Sequence, residues 1–440
     1  MSAASAGAPT EETAVVAGLT HEGEGVVRGG KTVFVPGALP GERIRLRRTR
    51  RHRQHDDGEL LEVLEPSAAR VAPRCVHFGV CGGCVLQHFA PAAQVAAKEG
   101  ELRAALERVA QVAPRRWLEP LTGPVWAYRR RARLGAKYVY KKGRVLVGFR
   151  ERAAPYVADL RGCEVLAPPA GSLIAPLAAL LTGLSIREQV PQIEVAVADN
   201  ATALVLRTLT PPAVADLTLL EEFAHQHGVR IYLQPSGLDS VQALGGGTAE
   251  PLRYGLRAFG LELEFRPTDF VQVNGVVNEA LVGLAAELLE LTPAARVLDL
   301  YCGLGNFTLA LARRAHSVVG VEGDSGLIAR GRANAARNQL ANVEFRQADL
   351  AAPAADAPWL RGPYSHVLLD PPRTGAREML AAVARLAPGR VLYISCHPGS
   401  LARDLMTLVH EHGFTLEAAG VVDMFAHTSH VESLALLSRS

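Results

Sequence analysis

The stretch VLYISCHPGSLARDL, residues 391–405, carries a thiol to a turn. Val391 to Ile394 form an apolar, strand-like run, Cys396 follows, Pro398 and Gly399 mark the turn, and a helical pattern begins at Leu401. A lone cysteine in such a place is most often a small buried hydrophobe. The chemical alternative is a nucleophile, and the rest of the chain decides between the two. Just upstream, LLDPPRTG ends another apolar run with Asp370, Pro371, Pro372 and Arg373. Adjacent prolines fix an extended, rigid mouth. Near the end of the chain, VVDMFAHTSHVESLALL offers Glu432, with His427 and His430 close by in sequence. A carboxylate there suits proton removal, and the histidines suit holding backbone or substrate better than binding a metal.

The segment VLDLYCGLGNFTLALA places Asp299, Gly303 and Gly305 between a strand pattern and a helix pattern. Glycines at such a turn let a ligand approach the backbone at the helix start. Thr308 stands where a dinucleotide fingerprint needs its last glycine, so a nicotinamide cofactor is not expected. Glu322 ends the next strand pattern, where an acid accepts ribose hydroxyls. Asp349 ends the third, where it can accept an adenine amino group. The set points to S-adenosylmethionine. In an amino-methylating enzyme an aromatic residue should follow the prolines, and Arg373 stands there instead. A methyl donor opposite a thiol suits carbon 5 of uracil. A thiolate adding to carbon 6 concentrates electron density on carbon 5, which takes the methyl group. A base then removes the carbon-5 proton and the thiol is expelled.

A second group of thiols lies in CVHFGVCGGCVLQH: Cys75, Cys81 and Cys84, with Cys163 much later in DLRGCEVL. Four thiolates are the usual complement of a structural zinc or an iron–sulfur cluster. Spacing alone leaves both open, and the remote fourth ligand leans slightly towards a cluster.

These residues need elements to position them. From about residue 266 the apolar runs RVLDLYC, SVVGVE, NVEFRQAD, HVLLDPP and RVLYISC alternate with helical patterns, the signature of a parallel doubly wound sheet whose C-terminal strand ends converge on a crevice. Residues 11–66 have short β-branched runs broken by Gly-Gly and Pro-Gly turns, which predicts a small barrel. Residues 91–118 read as a helix, and 122–265 as mostly strands with helices near 171–182 and 211–227. The chain has 440 residues and 48% hydrophobic content, enough for two or three packed cores. Six cysteines and no signal peptide argue against a disulfide scaffold and for the cytoplasm, and no apolar run is long enough to span a membrane. Net charge is only +3, yet seven arginines fall between Arg43 and Arg53, and a second basic cluster runs from Arg129 to Arg144. Such clusters suit a polyanion. Arg43, Arg45, Arg47 and Arg48, together with Arg129, Arg130, Arg131 and Arg133, are the candidates to hold RNA phosphates, with Arg373 at the crevice. A uracil inside a duplex hides carbon 6, so the target must be unstacked or flipped.

In order and spacing, GEGVVRGGKTVFVPGALPGERIR, the four cysteines, DFVQVN, DLYCGLGNF, DPPRTG, SCHPGSLARDL and DMFAHTSHVE resemble the RNA (uracil-5-)-methyltransferase family over nearly the whole chain. The resemblance implies an α/β protein with a disordered tail at 1–10, a TRAM β-barrel at 11–68, a central, mainly β iron–sulfur domain at 69–265, and a Rossmann-like methyltransferase domain at 266–440. It also implies that the helix near 91–118 packs on the last of these. It implies Cys396 as nucleophile and Glu432 as proton acceptor. Gln272, Tyr301, Gly303, Gly305, Asn306, Glu322, Asp349 and Asp370 would surround the cofactor, and Cys75, Cys81, Cys84 and Cys163 would hold a [4Fe–4S] cluster. The implied protein is a monomer acting on 23S ribosomal RNA ahead of transfer RNA. A non-catalytic RNA-binding or chaperone protein on the same fold is the alternative, and the pair Cys396 and Glu432 counts against it. The chain departs from the family in having His397 where Asn is usual and Ala426 where Pro is usual.

Overall fold

The computed structural model describes residues 11–152, 154–247, 250–354 and 356–439, so the tail expected at 1–10 lies outside the described residues. The chain begins with strands β1 (Glu11–Leu19), β2 (Glu24–Val27), β3 (Thr32–Pro36), β4 (Arg43–Arg51) and β5 (His55–Glu65), which close into a barrel in the order β1-β2-β3-β5-β4. Alternation explains it: along β4, Ile44 and Leu46 are buried while Arg43, Arg45 and Arg47 face out. Val16, Val33 and Val35 complete the inside. Gly58 has to be glycine, since a Cβ there would meet Val33 Cγ1 at 2.9 Å.

Helix α1 (Pro91–Ala105) runs on into one π-helical turn, Leu106–Ala110, and stops at Gln111 in a left-handed conformation with φ 53°. The sequence pattern extends this helix to 118. Pro114 disfavours helix at Ala113, and the chain instead forms the two-residue strand β6 (Arg116–Trp117). The central sheet contains β7 (Arg131–Val139), β8 (Arg144–Gly148), β9 (Gln192–Val197), β10 (Thr202–Arg207), β11 (Val229–Gln234) and β12 (Gln242–Ala243), in the order β12-β11-β10-β9-β7-β8. Helices α2 (Ile174–Gly183) and α3 (Val214–His227) interrupt it, close to their expected places, and the hairpin β13 (Leu252–Leu256) and β14 (Leu261–Phe265) follows.

Next come α4 (Gly275–Leu288), β15 (Arg296–Leu300), α5 (Asn306–Ala312), β16 (Ser317–Glu322), α6 (Ser325–Arg337), β17 (Val343–Gln347), β18 (His366–Leu369), α7 (Leu380–Leu386), β19 (Arg390–Ser395), α8 (Pro398–Met406), β20 (Thr415–Val422) and β21 (Glu432–Ser438). The sheet order is β17-β16-β15-β18-β19-β21-β20-β6. The strands from β17 to β19 are parallel, and β21 lies antiparallel to its neighbours. Helices cover both faces, which is why β15 and β19 read as continuous apolar runs. The N-terminal β6 pairs in parallel with the C-terminal β20, as an eighth strand. Leu102 and Leu106 bury themselves among Tyr393, Leu401 and Leu405. Among the described residues no helix is long and apolar enough to cross a membrane.

Candidate active site

In a parallel sheet of this order ligands bind at the C-terminal strand ends, here those of β15, β16, β18 and β19. After β15 the backbone turns left-handed at Tyr301 (φ 64°), Gly303 (φ 55°) and Gly305 (φ 99°) before α5 begins at Asn306. At Gly303 no atom lies within 4 Å of where a Cβ would stand, so a ligand can reach the backbone. Glu322 ends β16, with its Oε2 accepting from Gly303 N at 3.3 Å and its Oε1 from Gly323 N at 2.7 Å and Asp324 N at 3.0 Å. This carboxylate is therefore fixed by three amides. Asp349 accepts from Ala351 N at 2.9 Å, and Gln272 is half-buried between the buried Val271 and Val273. Below the loop, Asp299 is fully buried. Thr308 donates to one of its oxygens at 2.5 Å and the other oxygen has no partner. Burial pushes its carboxyl up to about 7, against the pull of Thr308.

Asp370 follows β18, Cys396 follows β19, and Glu432 opens β21, in register with Val422 of β20. Burial pushes the Asp370 carboxyl up to about 7. Glu432, 3% exposed, is pushed well above the usual carboxylate range by burial and by Asp370. Cys396 is half-buried. Burial, then the charges of Glu432 and Asp370, push its thiol up to about 11, while Arg373 pulls the other way. Two carboxyls and a thiol thus bear on one another in a desolvated space, an arrangement that belongs to proton chemistry more often than to structure.

Helix α8 locks the mouth. Ser400 donates to Arg373 O at 3.0 Å, and Arg403 to Thr374 O at 2.8 Å. The fully buried Asp404 accepts from Ala376 N at 2.8 Å and from Tyr393 Oη at 2.6 Å. His397 caps α8, its Nδ1 accepting from Ser400 N at 3.0 Å, and its ring meets His21 of the barrel edge-on at 5.3 Å. His21 in turn accepts from Arg373 at 2.8 Å and pairs with Glu101 at 2.6 Å.

Cys75, Cys81, Cys84 and Cys163 all line one cavity of about 250 Å³. Burial raises the thiols of Cys81 and Cys84 to about 11 and about 12, and raises that of Cys163 as well. Gly83 N donates to Cys81 Sγ at 3.4 Å, and the amides of Val165 and Leu166 point at Cys163. Among the described residues, the potential ligand atoms crowded within 4.8 Å of one another are those of His52, His55 and Asp57 on the barrel, not the cysteine sulfurs.

A sequence model of the tRNA (Uracil-5-)-methyltransferase family matches residues 253–353 and 361–440. The chain is 51% identical over 425 residues to the 23S rRNA (uracil(1939)-C(5))-methyltransferase RlmD of Alkalilimnicola ehrlichii, with 96% of each chain covered. It belongs to the RNA (uracil-5-)-methyltransferase family. A second relative of the same name, from Xanthomonas axonopodis pv. citri, is 49% identical over 428 residues, again with 96% of each chain covered. The fold is that of a solved family member, the Pyrococcus abyssi tRNA (uracil-54, C5)-methyltransferase in complex with S-adenosyl-L-homocysteine. The TM-score is 0.73 at 23% identity, covering 97% of this chain and 100% of that one.

The arginines proposed for RNA from the sequence of this family member are all engaged within the protein. Arg43 pairs with Glu65, Arg45 with Glu62, Arg47 with Glu11, and Arg48 with Glu12 and Asp56. Arg130 pairs with Asp199 and Arg133 with Glu194, Arg129 donates to Arg131 O, and Arg131 is largely buried beside Glu194. Arg133 and Arg373 line a cavity of about 810 Å³ that the barrel, the central sheet and the loop ending at His430 share. Arg150 and Arg152 line it too and were not singled out in the sequence; lying outside the dense arginine runs, they carry no local signal. Tyr254 and Asn278 were missed likewise. Both donate to Asn306 Oδ1 at 3.0 Å, and Asn278 also accepts from Asn306, so most of the Asn306 amide is spent inside the protein.

Proposed function

We propose that this chain methylates carbon 5 of a uridine in 23S ribosomal RNA, the nucleotide its relatives' names place at 1939, with Cys396 as nucleophile and Glu432 as the base. The observation that carries the mechanism is the half-buried Cys396 thiol set against two carboxyls that burial pushes above the usual carboxylate range. S-adenosylmethionine supplies the electrophilic methyl group. Gly303, Gly305, Glu322 and Asp349 suit its binding, because the loop is open at Gly303 and both acids are held in place by amides.

The thiol is protonated at neutral pH, so attack on carbon 6 requires its proton to pass to a base, and Asp370, which bears on the thiol and ionises near pH 7, takes it. The Sγ–C6 bond forms and the ring's electrons move to carbon 5, which gains the methyl group. Glu432, in its ionised form, then takes the carbon-5 proton, the C5–C6 double bond reforms, and the departing thiolate recovers its proton from Asp370. The uridine must enter flipped, and the 810 Å³ cavity beside Arg373 is wide enough for the unstacked nucleotides around it.

Cys75, Cys81, Cys84 and Cys163 would hold a [4Fe–4S] cluster. All four line one cavity, and amides point at Cys81 and Cys163, as suits sulfurs that carry charge as ligands; the choice of iron–sulfur over zinc rests on the family resemblance. No step of the methylation runs through the cluster, so its part is structural.

The test is RNA containing 5-fluorouridine, incubated with the methyl donor. The native protein should form an adduct that survives denaturation, and Cys396→Ala should not. Retention of RNA without any adduct would indicate a binding protein on this fold. For the cluster, an anaerobic preparation should be brown and lose its iron in Cys81→Ser, whereas colourless protein with stoichiometric zinc would overturn the assignment.

A further inference from the structure

Glu432 stands at the exit of the loop 423–431, which the Val422 and Glu432 pairing closes. The loop is tied down mostly by residues more than 290 positions earlier in the chain. Lys98 Nζ donates to Asp423 Oδ1 at 2.7 Å and to Phe425 O at 3.0 Å, and both side chains of that ion pair are 3% exposed. Gln94 Oε1 accepts from His427 N at 2.8 Å, and Gln94 Nε2 donates to His427 Nδ1 at 3.1 Å. Tyr128 Oη donates to Ala426 O at 3.0 Å. His427 O accepts from Val85 N at 2.9 Å and Leu86 N at 3.0 Å, immediately after Cys84. Its ring lies 4.0 Å from Trp126.

His427 also has a φ of 64°, a left-handed conformation that a residue with a Cβ adopts only when its surroundings hold it there. Those surroundings are Gln94, the 85–86 backbone and Trp126. A buried lysine is strongly disfavoured unless paired, so the Lys98 and Asp423 pair is not an incidental contact. Gln94 and Lys98 lie one turn apart on the same face of α1, and each takes one stretch of the loop.

We propose that Gln94 and Lys98 are positioning residues for proton abstraction by Glu432. Helix α1 holds the loop 423–431 so that the carboxylate meets the carbon-5 proton, and its loss slows that step while leaving thiol attack and methyl transfer largely intact. The proposal rests on the reading of Glu432 as the base.

The experiment uses the full chain and separates the two half-reactions. Adduct formation on 5-fluorouridine RNA reports attack and methyl transfer. On ordinary RNA with labelled methyl donor, a denaturation-resistant adduct carrying the label accumulates only if proton removal is slow. In Lys98→Met/Asp423→Leu, which replaces the ion pair with apolar side chains of similar size, turnover should fall roughly 10- to 100-fold, the scale of a 1 Å misplacement. The labelled adduct should accumulate, with fluorouridine adduct formation within about twofold of native. Gln94→Met, which cuts only the tie to His427, should do the same and serves if the double variant fails to fold. Native turnover without accumulation overturns the proposal, as does an equal fall in both half-reactions, the mark of a merely structural role. Glu432→Gln is the reference. If it accumulates adduct and the α1 variants do not, this inference alone falls; if it does not, the base assignment falls with it.

Discussion

Strand β4 of the barrel and the mouth of β18 and β19 both gather charge, and they handle it in opposite ways. Arg48 of β4 is mostly covered and reaches the buried Asp56, but Arg43, Arg45 and Arg47 face outwards and each meets a carboxylate of β1 or β5. Such exposed pairs contribute little to stability and exchange readily. At the crevice Asp370, Glu432 and Cys396 are desolvated, and the charges that bear most on them are each other's. The barrel's charge is neutralised locally and can be lent to a polyanion at low cost. The crevice's charge is held back, because burial and mutual repulsion keep the carboxyls protonated to higher pH than usual, so the ionised base forms only as pH approaches and passes neutrality. Dense arginines are conspicuous in a sequence and sparse acids are not, yet the acids are the chemically stressed groups.

The comparison can be broken first at Cys396. Cys396→Ala should bring turnover below detection while leaving RNA retention intact, and measurable methylation by Cys396→Ser would end the nucleophile reading. Next is Asp370→Asn. Removing that charge lets both the Cys396 thiol and the Glu432 carboxyl lose their protons more easily. The acidic limb of kcat/KM against pH, expected near pH 7 in the native protein, should move to lower pH even as the maximum falls. An unmoved limb would mean that the carboxyls and the thiol are not coupled.

A third, smaller effect separates buried acid from function. Asp299 has its carboxyl raised from 3.8 to about 7 in the folded protein. A raised acid stabilises the fold below its unfolded value, and that contribution is lost as pH rises from about 4 through about 7. Asp299→Asn should therefore gain stability relative to native at pH 8, with a ceiling of about 4 kcal/mol, and little at pH 4, as read from urea unfolding at the two pH values. The smallest effect belongs to the barrel. Arg45→Ala should change stability by about 0.5 kcal/mol or less. If Arg45 leaves Glu62 for a phosphate, it should lower the slope of log affinity against log salt by about one.

What could be read from the sequence was what is local in it. Cys396, the loop at Gly303 and Gly305, and Glu322 each sit at a strand end that hydropathy alone marks. The barrel was legible because alternation and turn residues repeat at short range. The pairing of the arginines with Glu11, Glu62 and Glu65 was not, since it depends on the register of β1 and β5 against β4. The same holds for Asp404, which looks like an ordinary helical acid until the loop after Asp370 folds onto it. The overlong helix at 91–118 had a local remedy in Pro114, but strand β6 has only two residues and exists because β20 offers it an open edge. Gln94 and Lys98 lay beyond reach for the same reason, as their partners come from the far end of the chain.

That late partnership bears on how the protein is made. Arg116 and Trp117 leave the ribosome long before Ala418 and Ala419, their strand partners, and Arg115 meets Glu417 across 302 positions. The start of α1 can settle early on Leu39, Leu86 and Phe89, but until β20 is made β6 has no edge to pair with, and Leu102 and Leu106 lack the cover of Leu401 and Leu405. The sheet whose strand ends carry Cys396 and Glu432 is thus completed from both ends of the chain, and a chain cut short of β20 leaves Leu102 and Leu106 uncovered, apolar surface of the kind that drives aggregation.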